Sequence, residues 1–139
     1  MKAKAIIFLL IILYSNGLKS QKKLESFKLS CVQFGITTPY SISCKDFESS
    51  FPKETYSIKS YDDSVNVLKL YDALKYIRFN KGHVNSIDVR AKIYLNYSNP
   101  KSLDTLCLNK FYVLERNGKF AKATRELINI LEELFKDCK

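Results

Sequence analysis

Residues 87–97 read Ile-Asp-Val-Arg-Ala-Lys-Ile-Tyr-Leu-Asn-Tyr, and apolar side chains alternate with more polar ones through the whole stretch. The apolar set occupies the odd-numbered positions, and the polar set, which includes Tyr94, occupies the even-numbered ones. A period of two is the pattern of a β-strand with one buried face and one polar face. The stretch therefore predicts a long strand, and it is the clearest indication of a strand in the chain.

Shorter extended segments precede this strand. We predict three of them, at residues 27–36, 40–44 and 55–59. Pro39 separates the first two, since proline commonly marks a turn. In the second segment, Tyr40, Ile42 and Cys44 alternate with polar residues, as expected for a strand. Residues 46–54 contain serines and a proline and are expected to form an irregular connection.

Helical periodicity lies between these segments and the long strand. Apolar residues recur there at intervals of three and four positions, which places them on one face of a helix. They are Val67, Leu70, Tyr71, Leu74 and Ile77. Ser60 is the predicted N-cap, and Asp62 and Asp63 lie where the helix dipole favours negative charge. Residues 80–82 (Asn-Lys-Gly) are expected to end the helix, because Asn and Gly tolerate a left-handed backbone.

Strands and turns are expected after the long strand. Residues 99–100 (Asn-Pro) mark a turn into a strand at residues 103–108, which can continue irregularly to Leu114. Residues 117–118 (Asn-Gly) predict a tight hairpin into a short strand at residues 119–121. The sequence thus predicts a meander of two or three strands.

A second helix closes the chain. Thr124 is its predicted N-cap. Its apolar stripe is formed by Leu127, Ile128, Leu131, Leu134 and Phe135. The predicted order of elements is β-β-β-α-β-β-(β)-α, which indicates an α+β fold in which two helices pack on one face of a mostly antiparallel sheet of five to six short strands.

The first twenty residues have the pattern of a secretory leader. Lys2 and Lys4 precede an apolar run at residues 5–14, and residues 15–20 are small and polar. The run is about half the length of roughly 20 apolar residues that a membrane span needs, so an uncleaved anchor is the weaker alternative. Cleavage after Ser20 would leave a single domain at residues 21–139, in the periplasm or outside the cell.

Positive charge distinguishes this domain. Removing the leader takes away three of the 23 basic residues and none of the 14 acidic ones, which lowers the formal net charge from +9 to +6. Such a charge favours anionic partners, although it also serves solubility. The sequence contains no tract of five or more basic residues, so nucleic acid is not an expected partner. Contact with a membrane is expected only through the cleaved leader.

Four cysteines follow the leader, at Cys31, Cys44, Cys107 and Cys138. An even number of cysteines in an exported chain predicts disulfides. Zinc is the competing use of four thiols, but gaps of 13, 63 and 31 residues between successive cysteines lack the close pairs of a zinc site. We expect neither a metal nor another cofactor.

Strand alternation suggests how the cysteines pair. Leu106 and Leu108 are expected to face the helices, so Cys107 faces the opposite side of the sheet. We therefore predict a Cys44–Cys107 disulfide, and Cys31–Cys138 follows by elimination. One β-bulge would reverse this assignment.

Catalytic motifs are absent from the sequence. His83 is the one histidine, and no Gly-x-Ser-x-Gly turn or Gly-rich phosphate loop accompanies it. Paired carboxylates are the remaining option for catalysis, as in glycoside hydrolysis, but Asp46 with Glu48 and Asp62 with Asp63 have structural explanations. We assign no catalytic residue and favour a binding protein over an enzyme.

The polar face of the long strand is the candidate binding surface. Arg90, Lys92, Tyr94 and Asn96 emerge on the side away from the helices, and Tyr40 joins them if the neighbouring strand has a suitable register. Cations interleaved with tyrosine suit an anionic or carbohydrate component of the cell envelope, and the competing interpretation is an ordinary solvated sheet face. We expect a small exported binding or inhibitory domain. The alternatives are a small carboxylate-dependent hydrolase of glycan and a structural envelope component that oligomerises through an edge strand.

Overall fold

The computed structural model describes residues 22–82 and 87–138, so the predicted leader and His83 lie outside the described residues. The strands are β1 (Lys23–Val32), β2 (Tyr56–Tyr61), β3 (Val89–Asn99), β4 (Lys101–Asn109), β5 (Val113–Arg116) and β6 (Lys119–Lys122). The helices are α1 (Phe47–Ser50), α2 (Ser64–Lys75) and α3 (Arg125–Phe135), and a 3₁₀ turn covers Lys53–Thr55. The predicted α+β class is confirmed.

Within the described residues, the six strands form one antiparallel sheet with the order β2-β1-β3-β4-β5-β6. The long strand of alternating residues is β3, which pairs with β1 on one side and β4 on the other. Because β1 lies between β2 and β3, the chain must cross β1 through α2 to travel from β2 to β3. This crossover places α2 over one face of the sheet.

The main core lies between the sheet and the two longer helices. Period-two alternation sends Phe27 and Leu29 of β1 and Ile93 and Leu95 of β3 to this face, where each is almost fully buried. Leu70 of α2 meets them from the other layer. The further buried members of the core include Leu74, Leu106, Leu108, Leu114, Leu127 and Leu131. The prediction of two helices packed on one face is confirmed.

The first long helix begins later and ends earlier than predicted. Asp63, not Ser60, is its N-cap: the Asp63 carboxylate accepts a hydrogen bond of 2.9 Å from the backbone N–H of Asn66. Ser60 instead belongs to β2 and pairs with Lys28. The helix ends at Lys75 rather than at residues 80–82, and Asn80 instead forms two backbone hydrogen bonds with Phe120, of 3.0 and 2.9 Å.

The later elements follow the predictions closely. Asn117 and Gly118 have φ angles of 51° and 69°, the left-handed pair that a tight hairpin requires, and they join β5 to β6. Thr124 caps α3, and its side-chain oxygen accepts a hydrogen bond of 3.2 Å from the backbone N–H of Leu127. The strand predicted at residues 103–108 is β4.

Residues 36–55, the covering segment, lie against the other face of the sheet, whereas Phe34 packs in the main core against Phe135. The strand predicted at residues 40–44 is wrong, since the chain there has no regular structure. Ile42 is bound by irregular contacts instead: its N–H donates to an Asp88 carboxylate oxygen at 3.0 Å, and its carbonyl accepts from Val89 at 2.9 Å. A second, smaller core results, formed by Val32, Ile42, Phe47, Phe51, Ile87, Val89 and Cys107.

Two disulfides join the layers. Cys44–Cys107 fixes the covering segment to β4, with a Cα–Cα distance of 5.7 Å, and Cys31–Cys138 ties β1 to the residues after α3, with a Cα–Cα distance of 5.6 Å. Both are the predicted pairs. The reasoning holds because Cys107 lies on the face away from the long helices, as the alternation of β4 indicates.

Removing the Cys44–Cys107 disulfide should loosen the covering segment. We expect Cys44→Ala with Cys107→Ala to lower the free energy of unfolding by about 2–4 kcal/mol, because the cross-link restricts the unfolded chain. Urea denaturation measures this loss. Amide exchange should accelerate more at Ile42 and Val89 than at Leu95 in the main core, where the acceleration reports the global loss of stability. Unchanged exchange at Ile42 would contradict the tethering role of the bond.

Asp63 should make the stability of α2 depend on pH. The backbone N–H of Asn66 lowers the pKa of the Asp63 carboxyl, so its stabilising contribution is present above the pKa in the unfolded chain and is lost as pH falls through the lower folded pKa. Thermal unfolding of Asp63→Ala near neutral pH should show a lower Tm. The deficit should shrink on acidification below about pH 4.

Asp63→Asn is the matched control, because an Asn side chain also caps helices but does not titrate. Its Tm should stay near that of the wild type at neutral pH and should not converge with the Asp63→Ala variant in acid. A deficit of Asp63→Ala that is constant with pH would contradict the assignment.

Candidate functional site

The sheet face opposite the long helices has a covered half and an open half. Because the covering segment ends over Val32, Val89 and Cys107, the other end of this face stays accessible. We call that end the open half-face. Its residues are Ser26, Lys28, Ser60, Tyr94, Asn96 and Leu103.

Strand register brings these residues together from four strands. Asn96 of β3 pairs with Ser26 of β1 and with Leu103 of β4, so these three side chains form one row across the sheet. Lys28 pairs with Tyr94 in the next row. The Asn96 side-chain amide lies 3.4 Å from the Ser26 hydroxyl oxygen and donates to it. The resulting surface is a shallow concavity in which these polar side chains lie beside Phe27, Tyr61 and Leu103.

Tyr94 is at the centre of the charge distribution on this face. The Nζ of Lys28 lies 4.7 Å from the centroid of the Tyr94 ring, and the Nζ of Lys92 lies 5.2 Å from it. The Tyr94 hydroxyl donates a hydrogen bond to Glu48 of α1. The ring is thus held in one orientation beside two cations, and it is partly exposed.

Arg90 does not belong to the accessible surface. The β3–β4 register shifts between Val89 and Ala91, and the Arg90 side chain is only 3% exposed. Its Nη1 and Nη2 donate to the two carboxylate oxygens of Asp88 at 2.7 and 2.6 Å, and Nη2 also reaches the Thr38 hydroxyl at 3.1 Å. The expectation of an exposed Arg90 is wrong, because the covering segment lies over this part of β3.

Lys92 and Tyr40 are also placed differently from Tyr94 and Asn96. Lys92 lies at the boundary of the two halves, where its Nζ is 2.9 Å from a Glu48 carboxylate oxygen. Tyr40 is 62% exposed, but it lies in the covering segment and not in a strand of the sheet. Of the five predicted binding residues, the structure therefore brings two, Tyr94 and Asn96, into the open half-face.

Ser26, Lys28 and Ser60 are site residues that sequence reasoning misses. Ser26 and Lys28 alternate with buried Phe27 and Leu29, so the alternation along β1 indicates that they face away from the helices. Their position beside Tyr94 depends on the pairing of β1 with β3, which a single sequence does not reveal. The predicted helix cap at Ser60 excludes that residue from the sheet, and the cap prediction is wrong.

Carboxylates are placed mainly in structural roles. Asp46 accepts a hydrogen bond of 2.6 Å from the Ser43 hydroxyl, Glu48 binds Lys92 and Tyr94, and Asp63 caps α2. Burial raises the pKa of Glu115, but this residue lies on β5 and does not line the concavity. Asp62 is at the rim of the concavity as an exposed side chain.

Metal ligands and membrane spans are two further features of interest in the described chain. Among residues 22–82 and 87–138, no group of three or more His, Cys, Asp or Glu side chains is arranged to hold a metal ion. Among those residues too, no helix is long and apolar enough to cross a bilayer.

Comparison with protein-family models, curated proteins and solved structures finds no match to this chain. The chemistry of the open half-face is therefore the basis for a functional proposal.

Arg90 should be a stability determinant. Replacing it with Ala breaks charged hydrogen bonds to Asp88 and leaves the anchor of the covering segment incomplete, so we expect a loss of about 2–3 kcal/mol in the free energy of unfolding. Lys28→Ala removes the same charge from the same sheet face, but at an exposed position, and should change stability by less than about 0.5 kcal/mol. Urea denaturation of both variants measures the contrast. Equal losses would contradict the structural role of Arg90.

Proposed function

We propose that the protein is a small exported binding domain whose open half-face recognises an acidic glycan, in the cell envelope or outside the cell. The observation that carries the proposal is the arrangement of Tyr94, Lys28 and Asn96 on one concave, accessible surface. An aromatic ring offers a platform for a sugar ring, and a lysine offers a counter-charge for a carboxylate or sulfate group.

Hydrogen-bonding capacity favours a glycan over a flat apolar partner. The hydroxyls of Ser26 and Ser60 and the amide of Asn96 can both donate and accept, which suits the hydroxyl groups of sugars. Leu103 supplies an exposed apolar rim. One cation, Lys28, lines the concavity, and a nucleic-acid backbone would require several spaced cations for comparable binding. Weak, shape-directed binding of an anionic sugar chain is the best fit.

Rigidity supports the same proposal. Glu48 binds both Lys92 and Tyr94, so the aromatic platform is fixed before a ligand arrives. Cys44–Cys107 and Arg90–Asp88 in turn hold the segment that carries Glu48. A preorganised surface loses less conformational entropy on binding.

Export is supported by two independent features. Residues 1–20 have the composition of a secretory leader, and the chain contains two disulfides. Disulfides persist mainly in oxidising compartments, which include the periplasm and the extracellular space. In either place, an acidic polysaccharide would be attracted to a domain of positive net charge.

Lys28 should control binding to an acidic polysaccharide. We expect the oxidised domain to bind polygalacturonate and not neutral dextran, and Lys28→Glu to weaken that binding by roughly tenfold, which corresponds to about 1.4 kcal/mol. Lys53→Glu makes the same charge change at an exposed position of the covering segment and is the matched control. Affinity electrophoresis or titration calorimetry at low salt measures the effect.

The role of the Tyr94 ring can be tested separately. Tyr94→Phe keeps the ring and should retain most of the affinity, whereas Tyr94→Leu should lose several-fold. Equal effects of Lys28→Glu and Lys53→Glu would show nonspecific charge attraction and contradict the proposed site. Shortening of the polysaccharide would instead support a hydrolase.

A further inference from the structure

The outer face of α2 carries apolar side chains where a surface helix normally carries charge. At 100° per residue, six side chains point within about 70° of the direction opposite to the buried stripe of Val67, Leu70, Ala73 and Leu74. They are Val65, Leu68, Lys69, Asp72, Lys75 and Tyr76. Val65, Leu68 and Tyr76 are 61%, 59% and 72% exposed, and they are three of the seven large apolar or aromatic residues that are exposed in the described chain.

Leu68 forms a ridge between two grooves. The groove toward β1 is lined by Leu24, Val67 and Tyr71, and the groove toward α3 is lined by Val65, Ile130 and Glu126. Both grooves include Leu68 itself. A ridge flanked by grooves is the surface that helices use to pack against one another. Isolated exposed apolar residues need no explanation, but Val65 and Leu68 are neighbours on the helix surface and lie beside two grooves.

Two opposite charges on this face are placed so that they could pair across two identical copies of the helix. Lys69 and Asp72 lie at equal distances on either side of the midpoint between residues 70 and 71, and Val65 and Tyr76 lie symmetrically about the same point. If two copies of α2 packed antiparallel across a two-fold axis at that midpoint, each Lys69 would face the Asp72 of the other copy. Each Val65 would likewise face the other Tyr76. An interface between identical chains requires this kind of self-complementarity.

We propose that the outer face of α2 is a homodimer interface in which two copies of α2 pack antiparallel about this axis. A single helix pair is a small interface, and small interfaces are typical of weak, transient association. We therefore expect the dimer to form in the micromolar range and to dissociate on dilution.

Dimerisation through α2 would orient the rest of the molecule in a defined way. Since α2 lies on the helical side of the sheet, the open half-face of each copy would point away from the interface. A dimer would present two such faces to a repeating polymer and gain avidity without any new contact. The inference does not rest on glycan binding, because it follows from α2 alone.

Charge exchange tests the register directly. Lys69→Glu places two carboxylates opposite each other, and Asp72→Lys places two ammonium groups opposite each other, so each variant alone should self-associate at least about tenfold more weakly than the wild type. An equimolar mixture of the two variants should restore dimers. In the mixed dimer, the introduced carboxylate of one variant faces the introduced ammonium group of the other, and the remaining native Asp72 faces the remaining native Lys69. Sedimentation velocity over a range of micromolar concentrations measures all of these species.

Two controls test whether weaker self-association comes from unfolding or from a change of net charge alone. The exposed Asp72–Lys75 ion pair, at 3.6 Å, contributes little to folding, and circular dichroism should show that both variants remain folded. Lys53→Glu alters charge at a position outside α2 and should dimerise like the wild type. A wild-type protein that is monomeric throughout, a dimer insensitive to both substitutions, or a mixture that fails to assemble would each overturn the proposal. Polygalacturonate binding by monomeric variants separates this outcome from the proposed function.

Discussion

Asp88 is the residue on which the division of the sheet face depends. Its carboxylate receives both terminal nitrogens of Arg90 and the backbone N–H of Ile42, so a single side chain links the start of β3 to the covering segment. A buried guanidinium is costly to desolvate, and the paired carboxylate offsets that cost only in this geometry. Together with the Cys44–Cys107 disulfide, the ion pair holds the covering segment over one end of the face, and the position of the segment determines which part of the face remains accessible.

The sequence predicts the elements of the fold better than their arrangement. Alternation in β3 and the Asn117-Gly118 hairpin are local, and both are found as predicted. Ser60 illustrates the limit, because a serine before a helical pattern resembles a cap, and only the pairing with Lys28 shows that the strand continues past it. Ile42 illustrates the same limit in reverse, since its alternating neighbours suggest a strand whereas its backbone bonds go to Asp88 and Val89.

The candidate site was predictable only in part for the same reason. The alternation of odd- and even-numbered residues along β3 correctly identifies the face of Tyr94 and Asn96. It does not show what lies over that face. Arg90 and Lys92 also occupy even-numbered positions of β3. Arg90 is bound to the carboxylate of Asp88, and Lys92 is bound to that of Glu48. Partial covering thus converts half of a predicted binding surface into an anchor, and it leaves the other half with a fixed aromatic ring.

The two disulfides act on different layers, which keeps the two proposed surfaces independent. Cys44–Cys107 secures the side of the sheet that bears Tyr94, whereas Cys31–Cys138 fixes the end of α3 against β1 on the helical side. Because α3 forms one wall of the groove beside Leu68, the second bond helps to define the outer surface of α2. Each bond supports the scaffold behind one surface, so either surface can be altered by substitution without changing the support of the other.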